Sequence, residues 1–159
     1  MSTTVKMGLL IGLLCAAWML VMGIAGWHKD PLLQNAFWAV VLIQTAVLVW
    51  GLKKTASTNT LGGQLTAGVV ASLIGGAVLF IFSWLYTTTL FPDYFEELRV
   101  AGREAMRGQG MSEEEIATAL AAVEPMQTSF MQALFGFLGT AVTGLIASLP
   151  IAAAFRKKK

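Results

Sequence analysis

The chain is poor in charge. Charged residues make up 13% of its 159 residues, against about 25% in an ordinary soluble domain. Histidine and cysteine occur once each, as His28 and Cys15. A single cysteine forms no internal disulfide, and no zinc set can be assembled from those two residue types. No glycine-rich phosphate loop with a lysine is present. The net charge of +2 is too small to point to nucleic acid. These absences exclude a disulfide-stapled secreted domain and argue against an enzyme, which needs convergent acids, bases, nucleophiles or metal ligands. No catalytic residue, metal or cofactor is expected. Disorder is excluded by the opposite excess, since 56% of residues are hydrophobic and mean hydropathy is +0.69.

What is there is a set of long apolar runs free of charge, at 7–27, 32–52, 65–91 and 126–155. A helix needs about 20 residues to cross a hydrocarbon core of roughly 30 Å. Spanning strands would alternate apolar and polar residues, which these runs do not. The expected fold is all-α: one membrane domain over 1–159, a four-helix transmembrane bundle with a two-helix hairpin at 92–125 between spans 3 and 4. The first run exceeds the roughly 7–15 residues of a signal-peptide core, so it reads as an uncleaved span. Cys15, in mid-span, reads as a small packing residue.

Basic residues set the expected orientation. With the N-terminus inside, that side carries Lys6, Lys53, Lys54, Arg156, Lys157, Lys158 and Lys159 and no acid. The outer side carries Lys29, Arg99, Arg103 and Arg107 with all nine acids. Both termini are therefore predicted to be cytoplasmic. The clusters Lys53/Lys54 and Arg156, Lys157, Lys158, Lys159 are predicted to sit on anionic headgroups, each charge contributing about 1 kcal/mol. Trp27, Trp38, Trp84 and Tyr86 mark the outer boundary, and Trp50 and Phe155 the inner one. Trp18 lies mid-span and is predicted to pack on a neighbouring helix.

Helices in lipid associate through small residues and interhelical hydrogen bonds. Three spans carry small residues at every fourth position: Gly8, Gly12 and Ala16; Gly68, Ser72 and Gly76; Gly136, Thr140, Gly144 and Ser148. These stripes pack within the chain or, alternatively, face a second subunit. Gln44 lies in the middle of the second span, where its amide needs a partner. Ser72, Thr140 and Thr143 lie at similar depth. Pro150 lacks the donor for the Ile146 carbonyl and predicts a mild kink. His28 reads as a solvated turn residue, and Gly62-Gly63 as a turn before the third span.

The segment 92–125 reads as two short helices. Asp93 opens the first, and Gly108-Gln109-Gly110 breaks it. Ser112 and Glu115 form a capping box for the second, with Met111 and Ile116 at the staple positions. Pro125 closes it. The apolar faces are Tyr94, Phe95, Leu98, Ala101 and Ala105 on one helix and Ile116, Ala119, Leu120 and Val123 on the other. They are expected to pair with each other and rest on the protruding spans. Arg99, Arg103 and Arg107 form a basic row, with Glu96 and Glu104 three residues before its two ends. The row is either a salt-bridged solvated face or a contact for lipid phosphate or an acidic partner.

The stretch Phe91-Pro92-Asp93-Tyr94-Phe95, the later Gly110-Met111-Ser112-Glu113-Glu114-Glu115-Ile116, and the opening of the fourth span at Met131-Gln132-Ala133-Leu134-Phe135-Gly136-Phe137-Leu138-Gly139 carry a further signal. In them the chain resembles the bacterial domain of unknown function 4199 family, small integral membrane proteins. The resemblance implies the fold, a bacterial origin and the inner membrane, and brings no activity or catalytic residues. The functional expectation is a structural or accessory subunit that assembles with itself or another membrane protein through its glycine-rich faces and outer hairpin. The alternative is a small transporter or channel, a homo-oligomer with a path lined by Thr, Ser and Gln.

Overall fold

Each apolar run becomes a helix, and the polar residues at its edge decide where it begins. In the computed structural model, which describes residues 1–30 and 32–155, Ser2 accepts a hydrogen bond from the Val5 amide at 3.3 Å and α1 runs Thr3–Ile24. After a 3₁₀ turn at Trp27–Lys29 and a 3₁₀ helix at Leu33–Trp38, α2 runs Ala39–Thr55. Thr60 accepts from the Gly63 amide at 3.2 Å and starts α3, Leu61–Leu85. Gly62 and Gly63 thus lie in the first turn of the helix rather than in a turn before it. Where the first turn is capped by a side chain, glycine there costs only its modest propensity penalty. The hairpin follows as α4, Tyr94–Gly108, and α5, Glu113–Val123. Thr128 accepts from the Met131 amide at 3.2 Å, and α6 runs Ser129–Phe155 with Pro150 inside it. Among the described residues no strand occurs. Four helices are long and apolar enough to cross a membrane, at Thr3–Ile24, Leu33–Thr55, Leu61–Leu90 and Ser129–Phe155.

The four long helices pack in the cyclic order α1, α3, α6, α2, with α2 and α3 touching only lightly across the middle. Both described chain ends lie at one end of the bundle, and the hairpin lies at the other. The small-residue stripes set this order. A Cβ on Gly8 would lie 2.6 Å from Ile74 Cβ, and one on Gly75 would lie 2.7 Å from Ile11 Cγ2, so α1 and α3 interlock. One on Gly68 would lie 2.8 Å from Ser148 Cβ, and one on Gly76 would lie 3.1 Å from the Phe137 carbonyl, so α3 and α6 meet nearly backbone to backbone. Gly12, Gly144 and Ala16 are buried likewise. At these positions the stripes lie against neighbouring helices of the same chain. Between the stripes sits an apolar core that includes Met7, Ile11, Leu48, Leu52 and Ala71.

The hairpin forms as the caps predict. Ser112 Oγ accepts from the Glu115 amide at 3.3 Å, while Glu115 Oε2 accepts from the Ser112 amide at 2.7 Å. The bond from the Ser112 amide, then that from the Ser112 hydroxyl donating to the same oxygen at 2.9 Å, holds the Glu115 carboxyl below its ordinary range. Gly110, at φ +82°, reverses the chain. Ala101, Ile116 and Leu120 are buried between the two helices, whereas Val123, expected on the covered face, is exposed. Ser112→Ala is expected to cost about 1 kcal/mol, read as faster amide exchange confined to Glu113–Val123.

The last turns of the third long helix widen. Tyr86–Leu90 is a π-helical turn, closed by the Phe91 amide donating to the Tyr86 carbonyl at 2.8 Å. Thr87 Oγ1 and Thr88 Oγ1 donate to the carbonyls of Ser83 and Trp84 at 3.0 and 2.7 Å. Both hydroxyls thus bond back to carbonyls one turn earlier in the helix.

Candidate functional site

Among the buried polar groups of the described residues, two clusters stand out. The first is the seam between bundle and hairpin. Gly26, at φ +69°, turns the chain into Trp27–Lys29. His28 is then buried, 4% exposed, which corrects its reading as a solvated turn residue. The hairpin folds back over it: His28 Nε2 is 2.6 Å from Glu97 Oε2, and Lys29 Nζ donates to Glu97 Oε1 at 2.7 Å. The His28 ring lies 5.1 Å from that of Tyr94 and 6.4 Å from that of Phe91. Gln34 Nε2 donates to the His28 carbonyl at 2.9 Å. The hydrogen bond from Lys29, then that from His28, holds the Glu97 carboxyl below its ordinary value of 4.5, and burial pushes the Tyr94 phenol up. An ionised carboxylate only accepts, so His28 Nε2 carries the hydrogen. Nδ1 is buried with no partner among the described residues.

Because the Glu97 pKa is lower folded than unfolded, its contribution is complete above about 4.5 and is lost as pH falls through the lowered value. Exchange protection of α4, corrected for intrinsic rates, should hold from neutral pH to about 4.5 and fall below it. In Glu97→Gln that step should vanish.

The basic row resolves into separate contacts. Arg99 Nη2 pairs with Glu96 Oε2 at 2.7 Å, as the spacing predicts. Arg107 pairs instead with Glu113 Oε1 at 2.6 Å, not with Glu104, because the reversal at Gly110 brings the start of α5 beside the end of α4. Arg103 is exposed, and no ion pair holds it among the described residues.

The second place surrounds Gln44, which is buried in α2. Its Nε2 donates to the Thr140 carbonyl at 2.7 Å and to Ser72 Oγ at 3.3 Å. The bond runs to the Thr140 backbone carbonyl, while the Thr140 hydroxyl donates to the Gly136 carbonyl at 2.8 Å. Thr143 takes no part. It lines a cavity of about 250 Å³ on the hairpin side of Gln44, together with Phe37, Trp38, Ser83, Phe135, Gly136 and Gly139. The α6 stripe therefore divides. Gly144 and Ser148 are packed against α3, while Gly136 opens on the cavity, where an added Cβ would meet only Ser83 Oγ at 3.6 Å. Trp18 lies nearby, with Nε1 donating to the Ala36 carbonyl at 2.9 Å. At the opposite end Lys53 and Lys54 are exposed, with Lys54 Nζ 4.4 Å above the Trp50 ring. Arg156, Lys157, Lys158 and Lys159 lie outside the described residues.

The family described as "Protein of unknown function (DUF4199)" matches residues 6–157. The chain belongs to the DUF4199 family. No curated protein and no solved structure matches it. The DUF4199 match spans all four long helices and the hairpin together, so the His28–Glu97 seam and the Gln44 cavity both lie inside the matched region. The His28–Glu97 pairing was not legible in the sequence, and of the cavity wall only Gln44, Thr140 and Thr143 were singled out there. His28 lies 69 residues from its partner, and the glycines of the cavity look like those of the packed stripe.

Proposed function

We propose that this protein is a non-enzymatic accessory subunit of a bacterial cytoplasmic membrane, with both termini cytoplasmic and the hairpin outside, docking a membrane-protein partner through that hairpin. The observation that carries the reading is the seam. The hairpin is not a loose loop but is pinned to the bundle through buried His28 and Glu97, a rigid mount that presents Val100, Arg103 and Val123 outward. Val100 is 50% exposed and Val123 41%, and exposed apolar side chains on a hairpin that also carries the unpaired Arg103 suit an acidic, partly apolar partner. Lys53, Lys54 and the terminal basic cluster would hold the opposite end against anionic headgroups. Bifunctional crosslinking in native membranes is expected to give one defined adduct, lost in Val100→Asp/Arg103→Glu with the fold intact. A strictly monomeric protein without that adduct would overturn the reading.

The alternative, a solute path, is favoured by one observation: Gln44, Ser83, Thr140 and Thr143 line a cavity within a single chain. Solute flux in liposomes that is abolished by changing Gln44 or Thr140 would replace the accessory reading.

A further inference from the structure

Ser72, Thr87 and Thr140 commit their hydroxyls to their own helices, each donating to the carbonyl four residues back at 2.9, 3.0 and 2.8 Å. Ser83 does not. It is 1% exposed, yet its hydroxyl has no partner among the described residues. Nor is that hydroxyl fully occluded, so it opens on the cavity that Ser83 lines. There it lies over the floor formed by Gly136, 3.6 Å from the place a Cβ would take.

The cavity is graded along its length. Its α6 wall runs from Gln132 to Thr143, about 16 Å of helix rise. Ser83 and the Gln132 amide, which no hydrogen bond engages among the described residues, lie at the hairpin end. Met19, Val41, Leu79 and Gly139 line the space beyond them. Gln44 closes the other end. It commits its amide nitrogen to the Thr140 carbonyl and Ser72, so it has no donor left to offer there. Nothing lies within 4 Å of a Cβ added to Gly139, so that part of α6 is vacant groove rather than helix contact.

Two further features say what fits. Trp38 and Phe135 flank the opening and are 67% and 50% exposed, so the cavity opens sideways between α2 and α6 toward lipid. Trp84 follows Ser83 in the chain, and indole rings favour the membrane interface. The free hydroxyl therefore lies at the level where a bilayer offers ester carbonyls, which only accept. No acidic or basic side chain lines the space, which disfavours a free carboxylate in a low-dielectric site.

From these features we infer that the cavity holds one acyl chain of a glycerophospholipid from the leaflet on the hairpin side. The ester carbonyl of that chain accepts from the Ser83 hydroxyl, and the chain runs along Gly136 and Gly139 toward Gln44. The site is separate from the hairpin surface, so it stands whether or not that surface docks a partner.

The test uses the full chain in mild detergent with added phosphatidylcholine, read by native mass spectrometry. One diacyl phosphatidylcholine is expected to stay bound per chain. Against an equal amount of its dialkyl ether analogue, the ester should be retained about fivefold better, as one neutral hydrogen bond implies. In Ser83→Ala the two should be retained alike. Gly139→Leu, which fills the groove, should cut retention at least fivefold, and free palmitate should not displace the lipid. In nanodiscs, a phosphatidylcholine with a mid-chain diazirine should label Val41, Leu79 and Gly139. Equal retention of ester and ether by the unaltered chain would overturn the inference. So would displacement by palmitate, or labelling that follows lipid exposure and falls equally on Ile81, Ile146 and Leu149. If Gly139→Leu fails to fold, the ester–ether comparison in the unaltered chain decides.

Discussion

Replacing Gly144 with valine is expected to cost at least about 3 kcal/mol of bundle stability, the upper end of ordinary overpacking, measured by reversible unfolding in bicelles. A side chain there falls directly on Ser72, and its Cβ lies 2.9 Å from Gln44 Nε2. The substitution therefore strikes a packing contact and the interhelical bonds of Gln44 at once. The helices cannot simply separate, because Gly68 against Ser148 and Gly76 against Phe137 hold the same pair on either side. Losing the Gln44 bonds alone is worth about 0.6–2 kcal/mol, and steric displacement of α3 from α6 supplies the remainder. Gly139→Val is the matched control on the same helix. It meets nothing within 4 Å and should change stability by less than about 0.5 kcal/mol. Equal effects at the two positions would mean that α3 and α6 do not meet at Gly144.

The second large effect is expected at the seam. Glu97→Ala leaves the His28 N–H buried without its acceptor, a loss of about 1–3 kcal/mol. The exposed Lys29 partner adds little, because surface ion pairs are screened. Amides of Tyr94–Gly108 should exchange about five- to a hundredfold faster, with those of the α1 and α3 cores unchanged. His28→Phe keeps an aromatic ring against Tyr94 and Phe91 and lets Glu97, already partly exposed, turn to water, so its effect should be smaller. If both substitutions leave α4 protection unaltered, the hairpin is held by its apolar contacts and not by this hydrogen bond.

Much of the architecture was readable from the residues because its causes are local. Twenty-odd apolar positions in a row admit few structures other than a spanning helix, and Ser112 with Glu115 is a complete capping device within four residues. Gln44 was readable as a group that needs a partner, and depth along the spans narrowed the choice to the correct region. Span edges shifted where a polar residue upstream, Ser2 or Thr60, captured an extra turn. The pairing of Arg107 was missed because helix spacing favours Glu104, whereas Glu113 arrives only through the reversal at Gly110. His28 and the cavity were missed for a deeper reason. Burial of a turn residue depends on what folds over it, and Gly136 and Gly144 differ only in whether a neighbouring helix reaches them.

The wide turn at Tyr86–Leu90 gives the third long helix a fixed rotational phase. Each residue added to or removed from a helix turns everything after it by roughly 100°. Adding one residue to this already widened turn would swing Phe91 and Tyr94 off the His28 ring with no change of charge, whereas removing one threonine would only bring the Phe91–Tyr86 bond to ordinary α spacing. The stretch Thr87-Thr88-Thr89 is therefore counted rather than merely composed. Insertions should be barred there, and tolerated at Gly108-Gln109-Gly110, where the chain turns in the open.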